Sequence, residues 1–118
     1  MRVACLQLTS GPEMDSNIET AIRLAHTAQD QGAVFALMPE NVGLLGSSGK
    51  MRDQAAVEDS HPALSAFREL SAKTGMWILV GSLAISRADG RLANRSFLLN
   101  GTGDLTARYD KIHMFDAD

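Results

Sequence analysis

Residues 33–41, Ala33-Val34-Phe35-Ala36-Leu37-Met38-Pro39-Glu40-Asn41, constrain this chain more than any other stretch. Ala33 to Met38 run without a polar residue, as in a strand buried on both faces. Pro39 has no amide to give to a sheet ladder, so the strand stops there. Glu40 follows at once, at the carboxyl end of a buried strand. In open α/β sheets that end is where ligands bind. Position alone favours a solvated loop glutamate, so the rest of the chain must decide what Glu40 does.

The segments before it supply the frame. Residues 2–8 read as a first, central strand with Cys5 in its middle as a small, buried, inert hydrophobe. Ser16-Asn17-Ile18-Glu19 has the form of a capping box. Ile18, Ala21, Ile22, Ala25 and Ala28 then repeat at helical spacing, and Gly32 is a C-terminal stop. Strand, helix and strand make a βαβ unit with parallel strands.

After Glu40, Gly43, Gly46, Ser47, Ser48 and Gly49 predict a loop at the same strand end. It is not a phosphate loop. Gly49-Lys50 would require glycine at 44, where Leu44 stands, and Ser or Thr at 51, where Met51 stands. Ser60-His61-Pro62 opens a second helix, with His61 as cap or surface residue, Leu64, Phe67 and Leu70 inward, and Gly75 at its end. Met76 to Ile85 is a central strand, and Gly81 within it marks a bend or the close approach of another backbone. Asn94 to Leu99 is a further strand, and Asn100-Gly101-Thr102-Gly103 a hairpin loop. From Leu105 to Lys111 the last strand alternates. Leu105, Ala107, Tyr109 and Lys111 share the apolar, inward face, and Thr106, Arg108 and Asp110 share the other. An inward lysine requires a carboxylate. Glu40, also at a strand end, is the candidate, unless the strand stops early and Lys111 reaches water.

Composition narrows the function. With 118 residues the chain is one domain at most, and 45% hydrophobic content suits a globular core. A net charge of -3 without a basic stripe, and 5% aromatics, argue against a nucleic-acid partner. No apolar run approaches the roughly 20 residues that cross a bilayer, and no signal peptide is evident, so a cytoplasmic protein without a membrane partner is expected. One cysteine excludes an internal disulfide. His113, Asp116 and Asp118 lack a spaced second cluster, so neither a metal nor another cofactor is expected.

Two segments together carry a resemblance. Phe35-Ala36-Leu37-Met38-Pro39-Glu40-Asn41 and Arg108-Tyr109-Asp110-Lys111-Ile112-His113-Met114-Phe115-Asp116 resemble the glutamate and lysine motifs of the nitrilase, or carbon–nitrogen hydrolase, superfamily. Val80-Gly81-Ser82 and Asn94-Arg95-Ser96 fall where that family has a strand glycine and an asparagine-led strand. The wording around Lys111 is most similar to the Nit-type amidase branch. The resemblance implies an α/β fold that is the N-terminal half of an α-β-β-α sandwich, with a βαβ start and a mixed sheet. It implies hydrolysis of a non-peptide C–N bond in a small amide, less readily a nitrile, by a Glu-Lys-Cys triad. Glu40 would be the general base and Lys111 the oxyanion stabiliser. In the family the nucleophilic cysteine follows the lysine motif. No residue here fills that place, and Cys5 on the first strand is not that residue. Residues 1–118 therefore read as a partial domain, inactive alone and with uncovered apolar faces, of a parent that the resemblance makes a homo-oligomer. The readings from other classes are a non-catalytic α/β binding or interaction domain, with Glu40 and Lys111 as a structural ion pair, and a pseudoenzyme subunit.

Overall fold

A computed structural model describes residues 1–8, 11, 13–40, 42 and 56–111. Strand β1 is Val3–Cys5, helix α1 Met14–Asp30, and β2 Phe35–Leu37. A single 3-10 turn, Glu58–Ser60, precedes α2 (Pro62–Thr74). Strands β3 (Trp77–Ser86), β4 (Leu92–Leu99) and β5 (Leu105–Asp110) follow. The sheet order is β1-β2-β3-β4-β5. Strands β1, β2 and β3 run parallel, while β3, β4 and β5 are antiparallel, so the sheet is mixed as the resemblance implies.

The two helices cover one face. On α1, Ile18, Ala21, Ala25 and Ala28 point into the core, and on α2 Ala63, Leu64, Phe67 and Leu70 do so. They close over the row Ala4, Ala36, Ile78 and Leu99 and over the pair Val80 and Phe97. Ala36, Ile78, Val80, Phe67 and Leu99 are fully buried. The alanines on α1 leave room for close packing, while Phe67 and Phe97 supply bulk. Burying a large apolar side chain contributes about 1.5–3 kcal/mol, so this face carries most of the stabilisation.

The opposite face is different. It carries Val3, Phe35 and Trp77 in one row and Cys5, Leu37, Leu79, Leu98 and Ala107 in the next. Val3 is 46%, Trp77 41% and Tyr109 59% exposed. Nothing among the described residues covers this face. Three sequence expectations change here. The strand β1 is the edge of the described sheet rather than central, and Cys5 is exposed, because it points to the uncovered side. The β2 segment is fully buried only at Ala36. The expected common inward face of Leu105, Ala107, Tyr109 and Lys111 does not form: a register shift at Leu98–Leu99 sets Leu105 opposite Leu99, partly buried against the core, while Ala107, Tyr109 and Lys111 are exposed.

The caps explain the element ends. Helix α1 begins at Met14, ahead of the expected capping box, and Glu13 at its N-cap makes no side-chain cap bond. The ordering residue is Asn17, whose Oδ1 accepts from the Gly11 amide at 2.9 Å and whose Nδ2 donates to the Gly11 carbonyl at 2.8 Å. Ser16 lies within the helix. At α2 the expectation holds: His61 is the N-cap, Pro62 occupies the first turn, and Gly75 ends the helix at φ 73°. His61 is a buried cap rather than a surface one, 1% exposed. Its Nδ1 accepts from the Ala63 amide at 3.2 Å, so the ring proton sits on Nε2. Burial pushes the His61 pKa down, against a hydrogen bond to the Ala84 backbone that raises it.

Protonating His61 would remove the cap acceptor and leave a cation at a helix N-terminus. The unfolded chain titrates His61 near its ordinary value of 6.5 and the folded chain titrates it lower. Its contribution is therefore complete above that value and declines as pH falls through the folded pKa. Urea midpoints measured from pH 7.5 to pH 5 should fall for the wild type. His61→Asn, which keeps a side-chain acceptor at the N-cap, should show a shallower decline. Equal declines would refute this role for His61.

Candidate functional site

Glu40 and Lys111 start on opposite sides of β3. Glu40 follows β2, and its approach is fixed by the chain on both sides. The Met38 amide donates to the Leu79 carbonyl at 2.8 Å, and the Val42 amide to the Ser82 carbonyl at 3.3 Å. Met38 and Val42 are both buried. Between them Pro39 gives no amide to the ladder, and Glu40 lies in a turn. Lys111 follows β5, and its amide donates to the Asn94 carbonyl on β4 at 2.9 Å. The two side chains converge, with Lys111 Nζ 3.7 Å from Glu40 Oε1. They are 42% and 64% exposed, respectively. Both openings stand on the side of the sheet that no described residue covers.

A second set of charges grips the end of β5 from the helical side. Arg95 Nε donates to Asp110 Oδ1 at 2.5 Å and its Nη2 to Asp110 Oδ2 at 3.1 Å. The third guanidinium nitrogen, Nη1, reaches Glu58 Oε1 at 3.1 Å. Arg108 then closes on the same glutamate, through Nε at 3.0 Å and Nη2 at 2.8 Å. Bidentate arginine–carboxylate pairs fix direction as well as distance. The hydrogen bonds from Arg95 hold the Asp110 carboxyl below its ordinary range. The same bonds, with Asp110 first, raise the Arg95 pKa. Asp110 immediately precedes Lys111, so this clamp fixes the strand end from which the lysine projects. Arg95 and Glu58 escaped the sequence reading. Arg95 faces Asp110 across the β4–β5 ladder, whereas Glu58 comes from the separate 3-10 turn, so no spacing along the chain links the three.

Two further features bear on the site. Asn94 Oδ1 is buried without a hydrogen-bond partner among the described residues, and Asn94 lies beside Lys111 on the neighbouring strand. A groove of about 350 Å³ runs between α2 and the β4–β5 turn, lined by residues such as Arg68, Glu69 and Asp104. It shares no lining residue with the Glu40–Lys111 pair. Among the described residues no three His, Cys, Asp or Glu side chains gather as a metal site requires, and no helix is long and apolar enough to cross a membrane. The expected loop over 43–50 and the tail with His113, Asp116 and Asp118 lie outside the described residues.

Known proteins share this arrangement of elements. The family profile described as carbon-nitrogen hydrolase matches residues 2–118. Deaminated glutathione amidase of Yersinia enterocolitica is 38% identical over 118 residues, covering 98% of this chain and 41% of that protein. The Synechocystis protein of the same name is 32% identical, over 98% of this chain and 43% of its own length. Among solved structures, an amidase from Nesterenkonia sp. superposes with a TM-score of 0.86 at 24% identity, covering 99% of this chain and 44% of that one. The C. elegans NitFhit protein gives 0.84 at 22% identity, over 98% of this chain and 29% of that one. These two likenesses establish the fold. The chain thus spans less than half the length of each of these proteins.

An ion pair this exposed, at 3.7 Å, contributes little to folding. Glu40→Gln and Lys111→Met should each change the free energy of unfolding by less than about 1 kcal/mol. Equilibrium urea denaturation checks this. A loss of several kcal/mol from either variant would make the pair a structural one.

Proposed function

Because this chain belongs to the carbon–nitrogen hydrolase family, we propose that it supplies the base and the oxyanion-stabilising cation of an amidase site. The nucleophile of that site comes from sequence beyond residues 1–118. The observation that carries this reading is the convergence of Glu40 and Lys111 at 3.7 Å from two strands on either side of β3.

The chemistry follows from the two side chains. A cysteine thiol has a reference pKa of about 8.5 and is a weak nucleophile until a base removes its proton. Glu40 takes that proton. The thiolate then attacks the amide carbonyl, a C–S bond forms, and the carbonyl electrons move onto oxygen. Lys111 stands beside that oxygen as a fixed cation. When the tetrahedral species collapses the C–N bond breaks, and the amine leaves with the proton held by Glu40. Water, deprotonated by Glu40, then attacks the thioester and releases the acid and the thiol. No cofactor is needed. An active-site cysteine modified by acrylamide in a structure of the Nesterenkonia amidase, and butyramide bound in another structure of that protein, support a cysteine-dependent site for small amides.

The substrate class is a small non-peptide amide, with deaminated glutathione the first compound to test, given the names of the relatives. The uncovered row of Val3, Phe35 and Trp77 suits packing against the remainder of the same domain, which also shields the pair from water. The complete domain is expected to assemble as a homo-oligomer. Residues 1–118 alone should show no amide turnover and should self-associate in sedimentation velocity, since their apolar sheet face is open. In the complete domain, Glu40→Gln should lower kcat/KM by about 10²–10⁴-fold, and Lys111→Met by about 10²–10³-fold, with unchanged circular dichroism. Turnover by residues 1–118 alone, or wild-type rates from Glu40→Gln, would refute the proposal.

A further inference from the structure

The path from Glu40 to Lys111 runs through an irregularity in β3. Pairing between β3 and β4 shifts register between Val80 and Leu83, so Gly81 and Ser82 form a bulge. A bulge turns a carbonyl out of the ladder and bends its strand. Here both carbonyls are used. Ser82 O accepts the Val42 amide, two residues beyond Glu40. Gly81 O accepts the Ser96 hydroxyl of β4 at 2.6 Å. Ser96 thus takes the place of the ladder partner that the bulge removes.

Gly81 is also where the backbone before Glu40 rests. A Cβ at position 81 would stand 2.5 Å from the Pro39 carbonyl oxygen, and it would overlap the Met38 carbonyl oxygen and the Pro39 carbonyl carbon more closely still. These are backbone atoms, so no side-chain rotation relieves the overlap. Any side chain at 81 must push Pro39, and Glu40 with it, away from β3. On the same strand as Ser96, the Asn94 carbonyl holds the amide of Lys111 at 2.9 Å. Alternate residues of β4 therefore tie down the two sides of the pair, Ser96 through the bulge and Asn94 directly.

We propose that the β3 bulge sets the reach between Glu40 and Lys111. Gly81 is the surface on which the Met38–Pro39 backbone rests, and Ser96 is the lock that keeps the bulge in place. Both are positioning residues; neither touches the reacting atoms. The inference rests on the reading of Glu40 and Lys111 as partners in amide hydrolysis.

The test is steady-state amide hydrolysis and thermal melting in the protein that carries the complete domain. The variants are Gly81→Ala, Ser96→Ala, Ser96→Thr and Glu40→Gln. Displacement of a catalytic group by about 1 Å costs on the order of 100-fold, so Ser96→Ala should lower kcat by roughly 10- to 100-fold while KM holds. Ser96→Thr, which keeps the hydroxyl, should restore most of the rate. Gly81→Ala should lose at least as much, and if it does not fold, the Ser96 pair decides alone. Wild-type kcat from Ser96→Ala, beside an inactive Glu40→Gln, overturns the positioning role and leaves the catalytic reading in place. A loss that follows the melting temperature and is not restored by Ser96→Thr makes Ser96 a stabilising residue only, and also overturns it. Full activity of Glu40→Gln removes the catalytic reading and this inference together.

Discussion

The two-sidedness of β3 is the constraint from which the rest of the arrangement follows. It runs parallel to β2 and antiparallel to β4. The parallel half therefore delivers its chain to one end of the sheet, where Glu40 emerges. The antiparallel half brings β5 back to that same end, where Lys111 emerges. A regular β3 would carry both neighbours at ladder spacing throughout. The bulge at Gly81–Ser82 breaks that regularity where the backbone ahead of Glu40 crosses it. The convergence of a carboxylate and an amine is thus a consequence of strand direction plus one local irregularity. The attraction between the two groups is too weakly shielded from water to impose it.

Burial and charge divide the work between the faces of the sheet. Helices α1 and α2 cover one face with Ala21, Ala25, Leu64 and Phe67, and the packing there holds the strands. The Arg95–Glu58–Arg108–Asp110 cluster sits at the rim of that covered side, where each carboxylate meets a guanidinium. The other face keeps Val3, Trp77 and Tyr109 in contact with solvent. A sheet with one packed and one open apolar face is unusual for a self-contained domain. In the proposed account the open face is the half of a catalytic cleft that this chain builds, with Glu40 and Lys111 at its edge.

Much of this was legible in the residues. Pro39 marked where β2 had to stop, and Gly75 and Pro62 marked the ends of α2, because each of these residues restricts the backbone in one way. Gly81 was read as a bend or a close backbone contact, and it is both. The failures share a cause. Alternation along a strand tells which residues share a face, but not whether anything covers that face. Cys5 and Tyr109 were accordingly placed inside, though nothing among the described residues lies over them. The start of α1 was misplaced because Asn17 reaches back to Gly11, a local bond that competes with the capping pattern of Ser16 and Glu19. The Arg95 clamp was missed because its partners come from three separate segments, and no spacing along the chain announces it. The family resemblance of the Glu40 and Lys111 motifs added the chemistry that no periodicity contains.

The central claim is that Glu40 and Lys111 act as one unit in amide hydrolysis. A double-mutant cycle on kcat/KM in the complete domain tests it most directly, using Glu40→Gln, Lys111→Met and the two together. Residues that act as a unit are strongly non-additive. The account predicts that the double variant is scarcely slower than the worse of the two single variants. Losses that multiply would show two residues acting independently, and would contradict it.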